Sequence, residues 1–355
     1  RPVCTIELGD LDQLATLGMG TFGRVRLVKH KKTGEVYALK MMQKALVVEH
    51  GQTKAVVAEK EILIEISHPF ILSLYTTYQD AHKLYMLLEI VPGGELFGLQ
   101  GEQPDARFQP DWARFYAACV EDALSYMHSY NILYRDLKPE NLLIDKEGFI
   151  KVVDFGFAKR IPLVSGWCLS WESFAPFSTP FFLTFFNLSP SLLPSFPSSH
   201  STTTTHYYLL LLPQGDRTFT LCGTPDYLAP ELLLGKGYRE GVDIWALGVL
   251  CYEMLCGYSP FAADDPDQVT ICTRIVKMRI SYPPVLTDRV AKDLISKLLV
   301  RETTSRLGCM HHGHQDIKDH PWFEGVDWSC LSSKQVTAPW KPTIRSDQDT
   351  SNFDE

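Results

Sequence analysis

The chain has 355 residues, with 42 acidic and 34 basic side chains and a formal net charge of −8 at pH 7. This length can bury a substantial core in one large bilobal unit or in two domains, and the acidic balance argues against a general nucleic-acid-binding surface. The nine cysteines form no C-x-x-C pair, which favours free thiols in a reducing compartment such as the cytoplasm over a zinc site, and no apolar run reaches the ~18 residues of a membrane-spanning helix.

A glycine-rich segment, Gly18–Val25, follows the first apolar stretch and has the form G-x-G-x-x-G. Two structures compete for this pattern: a dinucleotide-binding fold, in which a helix follows the glycines, and a phosphate-covering hairpin, in which a strand follows them. Here the next residues are typical of a strand at 25–28, a turn at 31–34 and a strand at 36–40. The sequence therefore predicts the hairpin, whose glycines would let the backbone approach phosphate oxygens without a Cβ clash. A glycine-rich hairpin without a ligand is the simpler alternative.

Lys40 ends an apolar strand, where an unpaired ammonium group would be costly, so it needs a carboxylate partner. Apolar residues then recur at helical spacing from 56 to 66. Glu59 and Glu61 both lie on this helix, and the spacing alone leaves either of them as the partner.

The next elements are a strand at 84–91, which ends in a Pro-Gly-Gly turn, and a long, largely apolar helix at 112–129. Between them, residues 98–105 are poor helix formers, so we expect no helix there. The helix at 112–129 would run beneath the segment that follows it.

The richest chemistry lies in one eight-residue string, Tyr134-Arg135-Asp136-Leu137-Lys138-Pro139-Glu140-Asn141. Asp136 can accept a proton from a hydroxyl nucleophile, and Lys138 can neutralise charge on a phosphoryl group in transfer. Asn141 offers a hard oxygen ligand for Mg²⁺, and a strand–turn–strand over 142–153 would fold a second ligand, Asp154, back beside it. A charged surface loop beside a hairpin is the simpler alternative, but the whole string at this spacing favours phosphoryl transfer.

These motifs, in this order, closely resemble the glycine-rich loop, catalytic loop and metal-binding motif of protein kinases. The resemblance implies an α+β bilobal protein-kinase fold, with a small β-rich N-lobe at 11–91, a larger, mainly helical C-lobe at 92–323 and a truncated tail at 324–355. It also implies ATP and Mg²⁺ as cofactors and phosphorylation of Ser or Thr in proteins. Tyr134, the Leu221–Pro225 run and the tail resemble the AGC group. Within that group the chain looks most like cGMP-dependent protein kinase, with the cAMP-dependent catalytic subunit close behind.

The resemblance assigns Lys40 to the α and β phosphates and selects Glu59 rather than Glu61 to hold it. Asp136 and Lys138 would be catalytic, with Asn141 and Asp154 holding Mg²⁺. The strand at 84–91 would lead into the hinge, whose backbone binds adenine. The residues implied at the ATP site are Gly18, Met19, Gly20, Thr21, Phe22, Gly23, Val25, Ala38, Lys40, Leu88, Glu89, Val91, Glu95 and Phe353.

The resemblance also implies how a protein substrate would bind. Basic side chains before the target residue would meet three carboxylates, Glu95, Glu140 and Glu253. An apolar pocket just after the target would be formed by Leu221, Pro225 and Leu228. Thr220 matches the position of an activating phosphate, which Arg135 and Lys159 would receive, whereas a helix-borne histidine of the family is Ala55 here.

Two further expectations concern the lobe and its partners. The resemblance pairs Glu231 with Arg306 in a buried salt bridge. No cyclic-nucleotide-binding module is visible in the sequence, so such a regulator would lie upstream or on another chain. The first residues, Arg1–Cys4, include neither an initiating Met nor a signal-peptide pattern, so we expect a fragment of a longer protein.

One stretch, 162–215, departs from the family. Glu172 is its single charged residue, and no helical or alternating period is sustained. Its edges suggest a retained intron translated in frame, because Val164-Ser165 can be encoded GTG-AGT and Gln214 can be encoded CAG; a lineage-specific loop is the alternative. We expect 164–214 to lack regular structure. Since it interrupts the activation segment, the alternative function is a catalytically impaired scaffold with the kinase fold.

Overall fold

Residues 6–161, 217–262 and 267–353 are described by a computed structural model of the chain. The stretch expected to lack regular structure, 164–214, lies outside these residues. Within them the chain forms a small lobe built on an antiparallel sheet and a larger, mainly helical lobe, which confirms the α+β prediction. No helix in the described part of the chain is both long and apolar enough to cross a membrane.

The small lobe is built on five strands: β1 (Leu11–Gly20), β2 (Gly23–His30), β3 (Val36–Gln43), β4 (Leu74–Gln79) and β5 (Lys83–Leu88). Their order in the sheet is β1-β2-β3-β5-β4, and every neighbouring pair is antiparallel. Gly20 lies opposite Gly23 at the β1–β2 turn. A strand therefore follows the glycines, which confirms the hairpin prediction against a dinucleotide-binding fold.

Two helices, α1 (Lys44–Glu49) and α2 (Thr53–Glu65), connect β3 to β4. On α2, Val56, Glu59 and Leu63 are buried, at the i, i+3, i+7 spacing of one helix face. Glu61 is exposed. The apolar periodicity of the helix therefore turns Glu59, and not Glu61, towards the interior.

The helices of the large lobe are α3 (Leu96–Gly101), α4 (Pro110–Ser129), α5 (Pro230–Leu233), α6 (Gly241–Cys256), α7 (Gln268–Val276), α8 (Arg289–Leu298), α9 (His314–Lys318) and α10 (Trp328–Ser332). Every residue of α6 except Glu253 is buried. A helix that is apolar on nearly all faces must lie inside a lobe, and α6 packs between α4 and α8. Gly257, with φ 85°, ends α6 in the left-handed conformation that glycine adopts most easily.

The prediction of no helix at 98–105 is wrong in its first half, since α3 covers residues 96–101. Leu96 and Leu99 are buried on it, and the Gln100 amide donates to Ala106 O at 3.0 Å and to Glu253 O at 3.2 Å. Packing and these hydrogen bonds outweigh the weak helix propensity of the segment.

Short strands frame the segment 134–161: β6 (Ile132–Leu133), β7 (Leu142–Ile144), β8 (Ile150–Val152) and β9 (Lys159–Arg160). β7 and β8 form an antiparallel hairpin, as the sequence predicts, and β6 pairs with β9. At the hairpin turn a Cβ on Gly148 would lie 2.1 Å from Trp340 O, so the tail packs directly on this turn. The tail then reaches the hinge, where Asn352 Nδ2 donates to Pro92 O at 3.0 Å.

Candidate active site

The glycine-rich turn between β1 and β2 has free space beside its first two glycines. A Cβ added at Gly18 or Gly20 would meet no described heavy atom within 4 Å, and Met19 is 76% exposed. At Gly23, in contrast, a Cβ would lie 1.8 Å from Met41 O. The first two glycines thus leave room for phosphates, whereas the third is required by the close approach of β3. The other loop residues expected at the ATP site are exposed or half-buried: Thr21, Phe22 and Val25.

Lys40 and Glu59 form the expected ion pair, with Nζ and Oε1 2.7 Å apart. Burial lowers the pKa of Lys40, but the Glu59 and Asp154 carboxylates raise it, and the net shift is upward. Lys40 therefore stays a cation while it lies between the helix-borne carboxylate and Asp154. This arrangement suits an ammonium that must meet phosphate oxygens.

The walls expected around adenine come from β3, β5 and the hinge. Ala38 lies opposite Leu88 in the sheet, and both are buried, as is Val91. Phe353 from the tail is half-buried against the same core. All four side chains therefore belong to, or pack against, the same hydrophobic core, and their arrangement around adenine stays a prediction.

Glu89 makes more contacts than the sequence indicates, through its backbone N–H and through its carboxylate. Its backbone N–H donates to Ser73 O at 2.9 Å, so its carbonyl is the backbone group left for a ligand. Its carboxylate accepts from Ser73 N at 3.1 Å and lies 2.8 Å from Lys151 Nζ. Lys151, on β8, therefore ties the hinge to the hairpin that precedes Asp154.

Asp136 lies in the loop between β6 and β7, where the sequence predicts catalysis, and is only 5% exposed. Asn141 Nδ2 donates to its carboxylate at 2.7 Å and to its carbonyl at 2.8 Å, and Lys138 Nζ lies 3.2 Å from the carboxylate. Burial raises the pKa of the Asp136 carboxyl, and the nearby charge of Asp154 raises it further. Lys138 and Asn141 oppose this shift, but the net direction is upward. A carboxylate held in this way is a stronger base than an exposed aspartate.

Asn141 and Asp154 are brought together by the β7–β8 hairpin, because Val153 N donates to Asn141 O at 3.0 Å. Both hydrogens of the Asn141 amide point to Asp136, so its oxygen is the atom available to a cation. Asp154 has φ 53° and accepts from Gly156 N at 3.1 Å. One carboxylate and one amide oxygen beside an open cleft suit Mg²⁺, which completes its shell with water and phosphate oxygens.

Asp243, at the start of α6, holds the backbone of the catalytic loop. Its two carboxylate oxygens accept from Arg135 N at 2.7 Å and Tyr134 N at 2.9 Å. Arg135 has φ 69°, a strained conformation for a residue with a Cβ, and such strain persists only where the surroundings enforce it. Asp243 is not among the residues predicted for the site, and its one signal in the sequence is an aspartate at the start of an apolar helix.

Thr224 was also missed. Its hydroxyl lies 3.3 Å from Asp136 Oδ1 and accepts from Lys138 Nζ at 3.1 Å. The segment that contains Thr224 is thereby fixed to the Asp136 carboxylate. Thr224 sits inside the Leu221–Pro225 run, so the run was noticed but this contact was not.

Thr220 is exposed, as a modification site requires. Arg135 reaches it through a hydroxyl: Nη1 donates to Tyr238 Oη at 3.0 Å, and that hydroxyl donates to Thr220 O at 2.7 Å. Lys159 donates instead to the neighbouring Thr218, at 2.9 Å. The two expected cations therefore lie near Thr220 without contacting its side chain.

Of the three carboxylates expected to meet basic residues, Glu95 and Glu140 are exposed and Glu253 is half-buried. Burial raises the pKa of Glu253 to about 7, and the nearby Glu140 and Asp226 carboxylates add to the shift. The Tyr227 hydroxyl, which donates to Glu253 at 2.7 Å, opposes it. The charges of Glu140 and Asp226 therefore act on the pKa of Glu253. Asp226 was not predicted.

The three residues expected to form an apolar pocket differ in their exposure. Leu221 is 63% exposed, whereas Leu228 is 9% exposed and lines a small cavity with Asp136 and Leu137. Pro225 begins a short 3-10 helix, Pro225–Tyr227. These residues differ so much in accessibility that their shared pocket stays a prediction.

Glu231 and Arg306 form a bidentate pair with N–O distances of 2.7 and 2.9 Å, and Arg306 is fully buried. Arg306 also donates to Gly241 O at 2.7 Å. The pair joins α5, at the end of the activation segment, to the start of α6. The predicted partners therefore do meet.

Comparison with known proteins agrees with this geometry. The family model described as "Protein kinase domain" matches residues 11–184 and 211–323, leaving 185–210 unmatched. The human "cAMP-dependent protein kinase catalytic subunit PRKX" is 42% identical over 348 residues, covering 98% of this chain and 81% of that protein. The "cAMP-dependent protein kinase, catalytic subunit-like" of Caenorhabditis elegans is 40% identical over 351 residues, covering 99% and 74%. The "cAMP-dependent protein kinase type 3" of Saccharomyces cerevisiae is 38% identical over 349 residues, covering 98% and 73%.

Proposed function

Because the chain belongs to the protein kinase family, as a serine/threonine kinase close to cAMP-dependent catalytic subunits, we propose that it phosphorylates Ser or Thr preceded by basic residues. ATP supplies the phosphoryl group and Mg²⁺ neutralises its charge, as in the family at large. The cGMP-dependent type expected from the sequence is not supported by these relatives, which are named cAMP-dependent. We therefore favour the cAMP-dependent alternative.

The observation that carries the proposal is the set of contacts on Asp136. Asn141 and Lys138 orient its carboxylate, and Thr224 joins it to the segment that would hold a substrate. Its raised pKa suits it to accept the proton of a substrate hydroxyl. Lys138 would then steady the negative charge that develops near the attacking oxygen.

The remaining roles follow from position. Lys40, kept charged by Glu59, would contact the α and β phosphates under the loop that contains Gly18 and Gly20. Asn141 and Asp154 would hold the metal ion. The walls of the adenine site would be Ala38, Leu88, Val91 and Phe353, with the Glu89 carbonyl as its backbone contact.

Recognition of basic residues is proposed for Glu95, Glu140 and Glu253, with Asp226 as an addition from the structure. A cyclic-nucleotide-binding regulator upstream or on another chain remains part of the proposal. So do the boundaries 11–91, 92–323 and 324–355 for the two lobes and the tail, and a cytoplasmic location.

The test is transfer of the γ-phosphate from ATP to a peptide with arginines two and three positions before a serine. We expect transfer by the wild-type chain and its loss in Asp136→Asn, which keeps the size of the side chain but removes the base. Glu61→Gln, on the exposed face of α2, is the matched control and should retain activity. Absence of transfer by the wild type would refute the proposal and favour a scaffold that keeps the fold without catalysis, and transfer by Asp136→Asn at the wild-type rate would refute the role of Asp136 as base.

A further inference from the structure

The connection between α7 and α8, with the helix ends that flank it, carries an excess of positive charge. Residues 274–292 contain a single carboxylate, Asp288, and five basic side chains, Arg274, Lys277, Arg279, Arg289 and Lys292. The whole chain, in contrast, has a formal net charge of −8. A local excess of cations on an acidic protein gives one part of the surface a potential of opposite sign to the rest.

The carboxylates in and beside this segment already have partners. Asp288 caps α8, because its carboxylate accepts from two backbone N–H groups of the first turn at 2.8 and 3.1 Å. Asp293 faces Lys297 at 2.6 Å and His320 at 2.9 Å. These two carboxylates therefore do not form ion pairs with the cations of the segment.

Four of the five cations form no ion pair with a carboxylate of the described residues. Together they are called the basic surface: Lys277, Arg279, Arg289 and Lys292. Arg274 differs from them, since it donates to the carbonyl of Ala262. Of the basic surface, Lys292 is half-buried and the other three side chains are exposed. These cations are therefore accessible to an anionic partner.

Tyr282 joins the two ends of the basic surface. Lys292 Nζ lies over the Tyr282 ring, 5.7 Å from its centroid, and the Tyr282 hydroxyl donates to Lys292 O at 3.5 Å. Arg289 is three residues before Lys292 on α8, so the two side chains are neighbours on the helix surface. Arg279 is three residues from Tyr282, at most ~11 Å along the backbone. The cations thus lie on both sides of one aromatic ring.

The connection that carries Tyr282 is held in place by the large lobe. Tyr252 on α6 donates to Ser281 O at 2.7 Å, and its ring lies 6.0 Å from that of Tyr282. Leu286 N donates to Pro283 O at 3.1 Å, and a second proline follows Pro283. Because this backbone is fixed before any partner arrives, binding to it costs less conformational entropy than binding to a disordered segment.

Exposed apolar side chains lie among the cations. Val285 is 43% exposed and Val290, next to Arg289, is 41% exposed. Phosphates of a nucleic acid or of lipid headgroups would use the cations but would leave the valines in water. A long polyanion or an anionic bilayer would also meet the acidic remainder of the chain. Arginine and aromatic side chains beside apolar ones are typical of protein-binding surfaces.

We propose that the basic surface binds an acidic segment of a partner protein. Aspartate or glutamate side chains of that segment pair with Arg279, Arg289 and Lys292, and an apolar side chain packs on Val285 and Val290. None of these residues belongs to the proposed ATP or catalytic sites, so this binding does not depend on phosphoryl transfer. Because the cations are exposed or half-buried, each ion pair is modest and the affinity depends on salt.

The test is fluorescence anisotropy of a short labelled peptide of glutamates and leucines, titrated with the full chain. We expect binding that weakens as ionic strength rises from ~0.01 to ~0.15 M, where the screening length falls from about 30 to about 8 Å. Arg279→Glu with Lys292→Glu should weaken it about tenfold or more, since two attractions become repulsions. Arg279→Lys with Lys292→Arg keeps both charges and should bind within about threefold of the wild type.

A second charge reversal provides the matched control. Lys54→Glu with Lys83→Glu changes the net charge of the chain equally, at two exposed positions of the small lobe. It should leave the peptide affinity within about twofold of the wild type, because charges farther than a screening length act weakly. Equal losses in the two reversal variants would overturn the proposal, since the peptide would then respond only to the overall charge.

The remaining arms separate the kinds of partner. Val285→Ser with Val290→Ser should weaken the peptide with leucines and leave a peptide of glutamates alone unaffected. A thymidine oligonucleotide and vesicles that contain phosphatidylserine represent the other anionic partners. Binding of the wild type to either of these but not to the peptide would overturn the proposal, and so would the absence of any binding.

Discussion

Lys159 Nζ donates a hydrogen bond to Thr218 Oγ1 at 2.9 Å, although the two residues are 59 positions apart in the chain. Thr218 is also paired through its backbone with Tyr238, in both directions. The two ends of the activation segment are therefore anchored side by side on the large lobe. The connection between them needs only to close a loop, and the entropy of closure grows slowly with loop length.

From this closure we predict the effect of removing 164–214. The shortened chain keeps four residues between Ile161 and Arg217, which can span up to ~16 Å. We expect the contact between Lys159 and Thr218 to persist across this shorter connection. The shorter loop should add ~1 kcal/mol to stability and raise Tm by about 2–4 °C, with higher soluble yield and kinase activity. A deletion variant that is less active or less stable than the full chain would contradict this.

Transcript reads across codons 163–215 test the intron origin, and a population that always carries these codons would refute it.

Sequence reasoning reached the parts of the site that lie within short motifs. The hairpin and the closeness of Asn141 to Asp154 follow from local spacing, whereas the choice of Glu59 over Glu61 came from family resemblance. Asp243 and Thr224 escaped because their partners lie 109 and 88 positions away, and no local pattern records such contacts. The helix at 96–101 escaped because buried leucines and the Gln100 amide outweigh its poor propensity.

Activation should couple weakly to the small lobe. A phosphate on Thr220 would attract Arg135 and Lys159, both on the large lobe, whereas Ala55 on α2 offers no charge to it. Ala55→His should therefore raise kcat of the Thr220-phosphorylated chain by up to about fivefold, since an exposed ion pair contributes ~0.2–1 kcal/mol. Steady-state kinetics on fully phosphorylated protein measure the gain. The same substitution on a Thr220→Ala background is the control and should have no effect; no gain with Thr220 phosphorylated would count against the coupling.

The ion pair of Lys151 and Glu89 should contribute more to the free energy of unfolding than a surface salt bridge does. Lys151 is 7% exposed in its side chain, so Glu89→Gln leaves a buried ammonium without a carboxylate while the amide can still accept from Ser73 N. We expect a loss of about 1–3 kcal/mol in the free energy of unfolding, below the 3–5 of a fully buried pair because Glu89 is partly exposed. Urea unfolding checks this against Glu147→Gln, whose exposed pair with Lys146 should contribute almost nothing. Equal losses in the two variants would refute the assignment.

Recognition of basic substrates should strengthen as pH rises through neutrality. Burial holds the pKa of Glu253 at about 7, with Glu140 and Asp226 adding to the shift. A carboxyl with that pKa is about one-tenth ionised at pH 6 and about nine-tenths ionised at pH 8, so its attraction for an arginine before the target residue appears over this interval. KM for an arginine-containing peptide should therefore fall from pH 6 to pH 8, while KM for a peptide with alanine in those positions changes little.

Glu253→Gln should remove the difference between the two peptides' pH profiles, because its amide does not titrate. Tyr227→Phe provides the matched control: without the hydroxyl that donates to Glu253 at 2.7 Å, the pKa should rise and the fall in KM should move to higher pH. A preference for acidic flanking residues, or a KM that is flat across pH 6–8 in the wild type, would exclude Glu253 from substrate recognition.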